Sequence, residues 1–428
     1  MNIIFKKNKH ITNFLFYAIN NVLSGLISII SVPLFINLLG ADTYGRYSLI
    51  LVIISTVHFG IGGTLNQSML RYGVSSNNSF RNVNDIFLIL IILECLLCVL
   101  LFASITIIFK DLYIGLLSGI ILFLMGFYQL YLSFAQSQGR AKDTTTLEII
   151  RNIAFIVFPL VLIKLFDEKK GIYFLLSGIL LSHFIVSFMA IIKLTKEKIV
   201  VLREFIEVFA INKGSSIYRT GIKIWNFSWP FTGWFIFSNL LNLSDRYVIA
   251  HYIGYKEVGY YSAIYDLMYK GATLSLAPIL TIIYPILIKY YDNNQTKNVN
   301  SIIIKVVFTQ ILLLIVVISI VNLFESDILK FFFNESVSTN NSYQTLVYLV
   351  IIGSFLWQIA MVVHKKIELK QETWKMLVAV CVAFCVNLLL NILLIPNYGV
   401  IAAGFNTIIG SIIYIIIILY YIKTSDTA

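Results

Sequence analysis

The chain has 428 residues, of which 59% are hydrophobic and only 12% are charged. Soluble domains carry about a quarter charged residues, so this composition excludes a water-soluble globular protein and indicates a chain embedded in a bilayer. The formal net charge of +11 is compatible with a nucleic-acid partner until its distribution along the chain is considered.

Twelve apolar segments are long enough to cross a hydrocarbon core of about 30 Å, six in each half of the chain. They cover about residues 13–38, 47–69, 85–109, 112–136, 145–165, 171–193, 225–252, 258–288, 300–324, 343–364, 375–395 and 399–422. We therefore predict an all-α membrane protein with an N-terminal six-helix bundle (1–193), a cytoplasmic linker (194–224) and a C-terminal six-helix bundle (225–428). Apolar residues at helical spacing predict that the linker forms a helix in the membrane interface.

The basic residues decide the predicted orientation. With the N-terminus inside, 21 of the 32 Lys and Arg residues lie on the cytoplasmic side and seven lie outside. This is the positive-inside pattern, and it predicts that both termini are cytoplasmic. The net charge then follows from topology, and no nucleic-acid partner is expected.

Neither the loops nor the cysteines show a pattern typical of a catalytic, redox or metal site. Cys95 and Cys98 have CxxC spacing, but their neighbours are apolar and no histidine is close, so packing is the expected role. Every outer loop is short. We therefore expect no metal site, no cofactor and no enzymatic activity.

A short phrase occurs twice in the chain. Residues 40–48 read GADTYGRYS and residues 254–262 read GYKEVGYYS, so both share the pattern G-x4-G-x-Y-S at an offset of 214 residues. Each copy follows one apolar segment and precedes another. Because six segments per half preserve orientation, the phrase predicts two related bundles in a parallel repeat, an arrangement typical of transporters.

Ionisable residues inside the predicted spans cost at least about 2.5–3.5 kcal/mol each, so they normally face a cavity or a partner. Asp266 and Lys270 are four residues apart on one helix face, which predicts either an intrahelical ion pair or a cavity-facing cation. Glu148 and Arg151 are three apart and can pair in the same way. Glu94 has no basic residue three or four positions away. We therefore expect either that it faces a cavity and carries a proton or that it pairs with a basic residue on another helix.

Three segments resemble the Wzx-type O-antigen and polysaccharide repeat-unit flippases of the multidrug/oligosaccharidyl-lipid/polysaccharide exporter superfamily. They are Pro33 with residues 38–48, Ser244-Asp245-Arg246 with residues 254–262, and the segment 387–404. The resemblance implies a V-shaped pair of six-helix bundles whose central cavity opens alternately to each side of a bacterial plasma (inner) membrane. The implied cargo is an oligosaccharide repeat unit on undecaprenyl diphosphate, moved to the outer leaflet for O-antigen or capsule polysaccharide, including lipopolysaccharide.

The charged residues of the second half are the expected substrate-binding residues of this cavity: Asp245, Arg246, Asp266, Lys270 and Lys305. Asp245 and Arg246 point about 100° apart on a helix, so they cannot easily share one partner. Arg246 is expected either to bind the diphosphate through its planar fork or to form a gate ion pair. Glu94 and Asp266 are the candidates for proton or ion coupling.

Three function classes stay open on the sequence alone. The first is the flippase, with the lipid-linked oligosaccharide, membrane lipids and a polymerase of the same pathway as expected partners. The second is a drug or cation exporter of the same superfamily, which would favour an anionic cavity. The third is a membrane polysaccharide polymerase, which the short outer loops disfavour. The excess of basic over acidic residues in the seventh to ninth spans favours an anionic cargo.

Overall fold

The computed structural model describes residues 2–63, 69, 79–166, 171–196, 216–333 and 335–427, and these are almost entirely helical. The helices of the first half are α1 (Asn2–Leu39), α2 (Ala41–Val57) with a π-helical turn (His58–Gly62), α3 (Ser79–Phe109), α4 (Leu112–Ser137), α5 (Ala141–Leu165) and α6 (Gly171–Lys196). Those of the second half are α7 (Ser216–Leu243), α8 (Asp245–Tyr252), α9 (Tyr255–Asp292), α10 (Thr296–Phe332), α11 (Glu335–Ser338), α12 (Asn341–Val363), α13 (Lys365–Leu369), α14 (Thr373–Tyr398) and α15 (Val400–Thr427). The described residues contain no strand, which confirms the predicted all-α class.

The described part of each predicted span is mainly helical, although the span 225–252 is divided between α7 and α8. Within the described ranges, nine helical stretches are long and apolar enough to cross a membrane. The predicted spans on α2, on α7 with α8, and on α9 are not among these nine stretches. The α2 helix has only 17 residues before its π turn. The multi-pass membrane class is thus confirmed, while the full count of twelve stays a prediction.

The chain divides into two compact units. Unit 1 comprises Met1–Ser24 and Ile50–Ile236, and unit 2 comprises Gly25–Leu49 and Phe237–Ala428. The second part of α1 and the beginning of α2 therefore pack with the C-terminal half of the chain. Residues 197–215, which form most of the predicted interfacial linker, lie outside the described residues, so its helix stays a prediction.

Each unit has its own buried core. In unit 1 the core includes Phe87 and Tyr131 together with Leu147 and Val186, which lie on helices α3 to α6. In unit 2 a cluster around Leu287 joins α9, α10 and α12. Many large apolar side chains are exposed on the outward faces of the helices. A water-facing surface would not carry them, but a surface in contact with lipid would.

The two glycines that open the repeated phrase both have a positive φ angle. Gly40 has φ of 76° and Gly254 has φ of 127°, a region that favours glycine because it has no Cβ. In each copy a new helix begins at the following residue, α2 at Ala41 and α9 at Tyr255. The sequence repeat is therefore matched by a repeated backbone turn.

Candidate functional site

The two copies of the repeated phrase pack against each other inside unit 2. A Cβ atom at Gly45 would overlap the carbonyl oxygen of Tyr255, and one at Gly259 would overlap the carbonyl oxygen of Ala41. Positions 41 and 255 are equivalent in the repeat, and so are 45 and 259. The contact is thus reciprocal, and glycine permits it because it lets two backbones approach closely.

A hydrogen bond between equivalent serines completes this contact. The buried Oγ atoms of Ser48 and Ser262 lie 2.9 Å apart, at a sequence separation of 214 residues. The Ser48 hydroxyl also donates to the Gly45 carbonyl at 2.9 Å, so Ser262 is the donor of the pair. Nearby, the Tyr247 hydroxyl donates to the Leu49 carbonyl at 2.7 Å. We call the contact formed by Ala41, Gly45, Ser48, Tyr255, Gly259 and Ser262 the repeat crossing.

A buried charge network follows on α8 and α9. Arg246, which is 3% exposed, donates from Nη2 to Asp266 Oδ1 at 2.5 Å. Its guanidinium also lies 5.7 Å from the centre of the Tyr265 ring. Asp245, which is 1% exposed, accepts hydrogen bonds from the Tyr261 hydroxyl and from the Arg246 backbone N–H. The two adjacent residues thus turn to different partners, in agreement with their helical spacing.

The ion pair between Asp266 and Lys270, one of the two predicted alternatives, does not form. Asp266 binds Arg246 instead, and no carboxylate of a described residue lies within 4.0 Å of the partly buried Lys270 ammonium. The physical reason is the burial of Arg246, since a buried guanidinium without a counter-charge costs more than a partly exposed ammonium. Of the two alternatives for Arg246, the ion pair is the one present.

Lys305 has different surroundings. It is exposed on α10, next to the strongly exposed Ile304 and close to the strongly exposed Phe308 on the same helix. A lysine on such an apolar helix surface can extend its ammonium toward a polar boundary. Its role as a cavity residue stays a prediction.

Unit 1 contains buried polar groups for which the described part of the chain offers no partner. Glu94 is 3% exposed, and its Oε2 atom has no hydrogen-bond partner among the described residues. The same holds for Nδ1 of the buried His58. A Cβ atom on Gly62 would lie 3.5 Å from His58 Nδ1 and 3.9 Å from Glu94 Oε1, so both groups border the same point. Gly126 also faces Glu94, because a Cβ there would overlap its carboxyl group.

His58 was missed by the sequence reasoning, although it is an ionisable residue inside a predicted span. It begins the π-helical turn His58–Gly62. Such turns interrupt α-helices and frequently occur at functional sites. Because His58 and Glu94 lie on α2 and α3, no spacing rule within one helix could have connected them.

The predicted pair of Glu148 and Arg151 is confirmed. Arg151 Nη2 donates to Glu148 Oε2 at 2.8 Å and to Asn152 Oδ1 at 2.8 Å. Asn152 in turn donates to Ser24 Oγ at 2.6 Å. This network ties α5 to α1 within unit 1, and it gives Arg151 a structural role.

An asparagine network connects α14 and α15 in unit 2. Asn387 donates to the Asn406 carbonyl at 2.9 Å, Asn391 donates to Asn387 Oδ1 at 2.9 Å, and Asn406 donates to Asn391 Oδ1 at 2.8 Å. All three are buried. Amide pairs of this kind hold membrane helices together, because hydrocarbon offers them no other partner.

The sequence was compared with known protein families and with curated proteins. The sequence matches the family described as polysaccharide biosynthesis protein over residues 11–291. Comparison with curated proteins gives no match.

Several solved structures are similar to the whole chain. The lipid II flippase MurJ, in an inward closed conformation, gives a TM-score of 0.72 at 15% identity, with 96% of this chain and 87% of that chain covered. The MATE transporter VcmN of Vibrio cholerae gives 0.68 at 12% identity, with 97% and 99% covered. An inward-facing multidrug resistance MATE transporter of the MOP superfamily gives 0.66 at 14% identity, with 95% and 98% covered. The predicted exporter fold is confirmed by these likenesses.

Proposed function

Because the chain belongs to the polysaccharide biosynthesis protein family, we propose that it is a flippase for a lipid-linked oligosaccharide. It moves an undecaprenyl diphosphate-linked repeat unit from the cytoplasmic to the outer leaflet of a bacterial plasma membrane, for O-antigen or capsule polysaccharide synthesis. Both termini lie in the cytoplasm, and no covalent step is catalysed. The similarity to the lipid II flippase supports a lipid-linked cargo.

The repeat crossing is the observation on which the proposed transport mechanism rests. Its closest approaches involve backbone atoms of Gly45 and Gly259, and the Ser48–Ser262 hydrogen bond is the polar link between the two copies. Neither the glycine contacts nor the serine hydrogen bond contains a charged group, so their separation leaves no charge of the crossing unpaired. We propose that it closes the outer side of the carrier and that it opens when the cargo is released, as alternating access requires.

The charges of unit 2 support an anionic cargo. Arg246 and Asp266 neutralise each other, and Asp245 is hydrogen-bonded by Tyr261. Lys270 is left with no carboxylate of a described residue within 4.0 Å. An ammonium at membrane depth is costly without an anion, and the lipid diphosphate would provide one. In a drug or cation exporter, by contrast, the positive charge of Lys270 would repel the positively charged cargo.

For the coupling step, we propose a proton carried by Glu94 with His58 beside it. A carboxylate at this depth has no cation among the described residues to offset its charge, so protonation changes its energy strongly. Asp266, the other coupling candidate, is engaged by Arg246. That ion pair makes it the weaker candidate.

The cargo is tested in liposomes that contain the purified protein and a fluorescent undecaprenyl diphosphate oligosaccharide. A membrane-impermeant glycosidase added outside the liposomes cleaves only the oligosaccharides in their outer leaflet. The fraction cleaved therefore measures how much of the lipid has been flipped. We expect flipping by the unaltered protein and a loss of about tenfold or more in Lys270→Ala, the effect of losing one charge-assisted contact of about 1.5–3 kcal/mol. Lys330→Ala, at an exposed lysine of α10, is the matched control.

Two other outcomes would replace the proposal. Transport of ethidium without movement of the lipid would indicate a drug exporter. Lengthening of the oligosaccharide would indicate a polymerase. Flipping that is unchanged in Lys270→Ala would remove this residue from the diphosphate contact while leaving the flippase in place.

The proposed opening of the repeat crossing is tested by the double variant Ser48→Cys/Ser262→Cys. The protein used for this test lacks the native cysteines Cys95, Cys98, Cys381 and Cys385. The two hydroxyls are 2.9 Å apart, so oxidation should bridge them and stop flipping, and reduction should restore it. Each single variant controls for the loss of the hydroxyl. Normal flipping by the bridged protein would show that the repeat crossing does not open during transport.

A further inference from the structure

A small open cavity lies in unit 2 where three turns meet. It has a volume of about 180 Å³ and is lined by Glu257 of α9, by Asn340, Ser342 and Tyr343 at the start of α12, and by Tyr398 and Gly399 at the turn between α14 and α15. The topology predicted from the basic residues places all three turns on the outer side of the membrane. The charge network, which includes Arg246 and Asp266, does not contribute to its lining.

The polar groups of this cavity are held in place by their own contacts. The Tyr343 hydroxyl donates to Glu257 Oε2 at 2.8 Å, which orients the carboxylate and leaves its second oxygen for a ligand. Tyr260 packs against the Tyr343 ring with centroids 5.4 Å apart. Asn340 Oδ1 accepts from the Ser342 N–H at 2.9 Å, which fixes the side chain and leaves its amide NH2 group as a donor.

An aromatic ring and an open turn complete the cavity. Tyr398 is 67% exposed, although its ring is large and mostly apolar. Gly399 has φ of 64°, and a Cβ atom there would meet nothing within 4 Å, so the turn leaves the cavity open on this side. An exposed ring beside a carboxylate, an amide and a hydroxyl presents one flat apolar surface and several hydrogen-bonding groups.

We propose that this cavity binds one sugar ring on the outer side of the protein. A pyranose has an apolar C–H face that can lie on Tyr398 and a rim of hydroxyls that can donate to Glu257 and accept from Asn340. The cavity has room for a single ring and not for a lipid diphosphate, and the Glu257 carboxylate would repel phosphate. The inference rests on the proposed function, because a flippase delivers sugar to this side.

The test uses the whole protein in a detergent without a sugar headgroup, so that the detergent cannot occupy the cavity. Saturation-transfer NMR is recorded with the methyl glycosides of glucose, galactose and N-acetylglucosamine. We expect transfer to at least one of them. We also expect its dissociation constant to rise about fivefold or more in Glu257→Gln and in Tyr398→Ala, as for the loss of one hydrogen-bonded or stacked contact.

Both variants are expected to fold normally, so that a loss of binding reports on the cavity itself. Gln at position 257 can still accept from Tyr343, and Tyr398 is exposed. Tyr420→Ala, at an exposed tyrosine of α15 outside the cavity lining, is the matched control and should bind as the unaltered protein does.

Choline, a quaternary ammonium compound, is recorded as a fourth probe. Three results would overturn the inference: no transfer to any glycoside, equal binding by all variants, or transfer only to choline. Flipping without sugar binding would remove this site and leave the proposed function intact. Sugar binding at this cavity without flipping of the lipid would keep the site and remove the proposed function.

Discussion

Each unit contains a cluster of buried ionisable groups, and the two clusters differ in how their polar atoms are paired. In unit 2, Arg246 pairs with Asp266, and Asp245 accepts two hydrogen bonds, although Arg246 Nε has no partner among the residues that the structure describes. In unit 1, His58 and Glu94 each retain a buried polar atom that no described residue reaches. A paired network stabilises one arrangement of its helices, whereas an unpartnered group is costly until it gains a proton or a ligand. We infer that the first cluster holds unit 2 together and that the second can change its charge.

The largest expected effect comes from breaking the paired network. Arg246→Met leaves the partly buried Asp266 carboxylate without its cation, which should destabilise the protein by up to about 3–5 kcal/mol. Thermal unfolding in detergent and the amount of protein in the membrane measure this loss. The double variant Arg246→Met/Asp266→Asn should recover a large part of it, because the carboxylate that Arg246 neutralised is then also removed. A single variant as stable as the unaltered protein would show that this network does not stabilise unit 2.

The repeat crossing gives the next largest effect, and α9 supplies its own control. Gly259→Ala places a Cβ against the backbone of Ala41, which cannot move like a side chain, so we expect a loss of about 1–3 kcal/mol. Gly271 lies on the same helix, and a Cβ there meets nothing within 4 Å. Gly271→Ala should therefore be neutral or stabilising by about 0.5–1 kcal/mol. Equal effects of the two changes would mean that the crossing has no steric requirement for glycine.

The unpartnered groups of unit 1 should affect transport more than stability. Glu94→Gln keeps the size of the side chain and removes its titration, so flipping driven by a pH gradient should fall toward the rate without a gradient. Unfolding should change little, since a neutral amide replaces a group with no counter-charge. Flipping by the unaltered protein with and without the gradient provides the reference values. A full response to the gradient in Glu94→Gln would exclude this residue as the proton carrier.

The sequence predicted what lies within one helix much better than what lies across two. Hydropathy located the helices, and spacing identified the Glu148–Arg151 pair. The same rule also offered an Asp266–Lys270 pair, which does not form because Asp266 binds a residue of the preceding helix. Arg246 and Asp266 are 20 residues apart on α8 and α9, so their contact depends on the angle between these helices after Gly254. His58 and Glu94 likewise meet across two helices. The repeated phrase was the one long-range signal. It predicted equivalent turns that come together in an alternating-access carrier, but not that the glycines and serines of the phrase form the contact.

The smallest expected effect concerns a charged group that is neither paired with a cation nor deeply buried. Asp111 caps α4, accepting from the N–H groups of Tyr113 at 2.9 Å and Ile114 at 3.0 Å, and it also accepts from the Tyr173 hydroxyl at 2.5 Å. Burial alone would raise the pKa of Asp111, but the hydrogen bonds from Tyr173, Ile114 and Tyr113 outweigh it and hold the pKa below its usual range. The stabilisation is therefore present above the unfolded-state pKa of about 4 and is lost as the pH falls through the folded-state value.

Asp111→Ala should accordingly cost about 1 kcal/mol at neutral pH, the usual value of a lost helix cap, and less in acid. Thermal unfolding of unaltered and variant protein between neutral pH and about pH 3 measures the difference, because the carboxyl group titrates in that range. Asp111→Asn is the matched variant, since its amide oxygen can still cap α4 while its charge is gone. It should retain most of the stability and show no acid-dependent loss at this site. A difference between Asp111→Ala and the unaltered protein that grows as the pH falls would contradict the assigned sign and would leave the cap without its charge contribution.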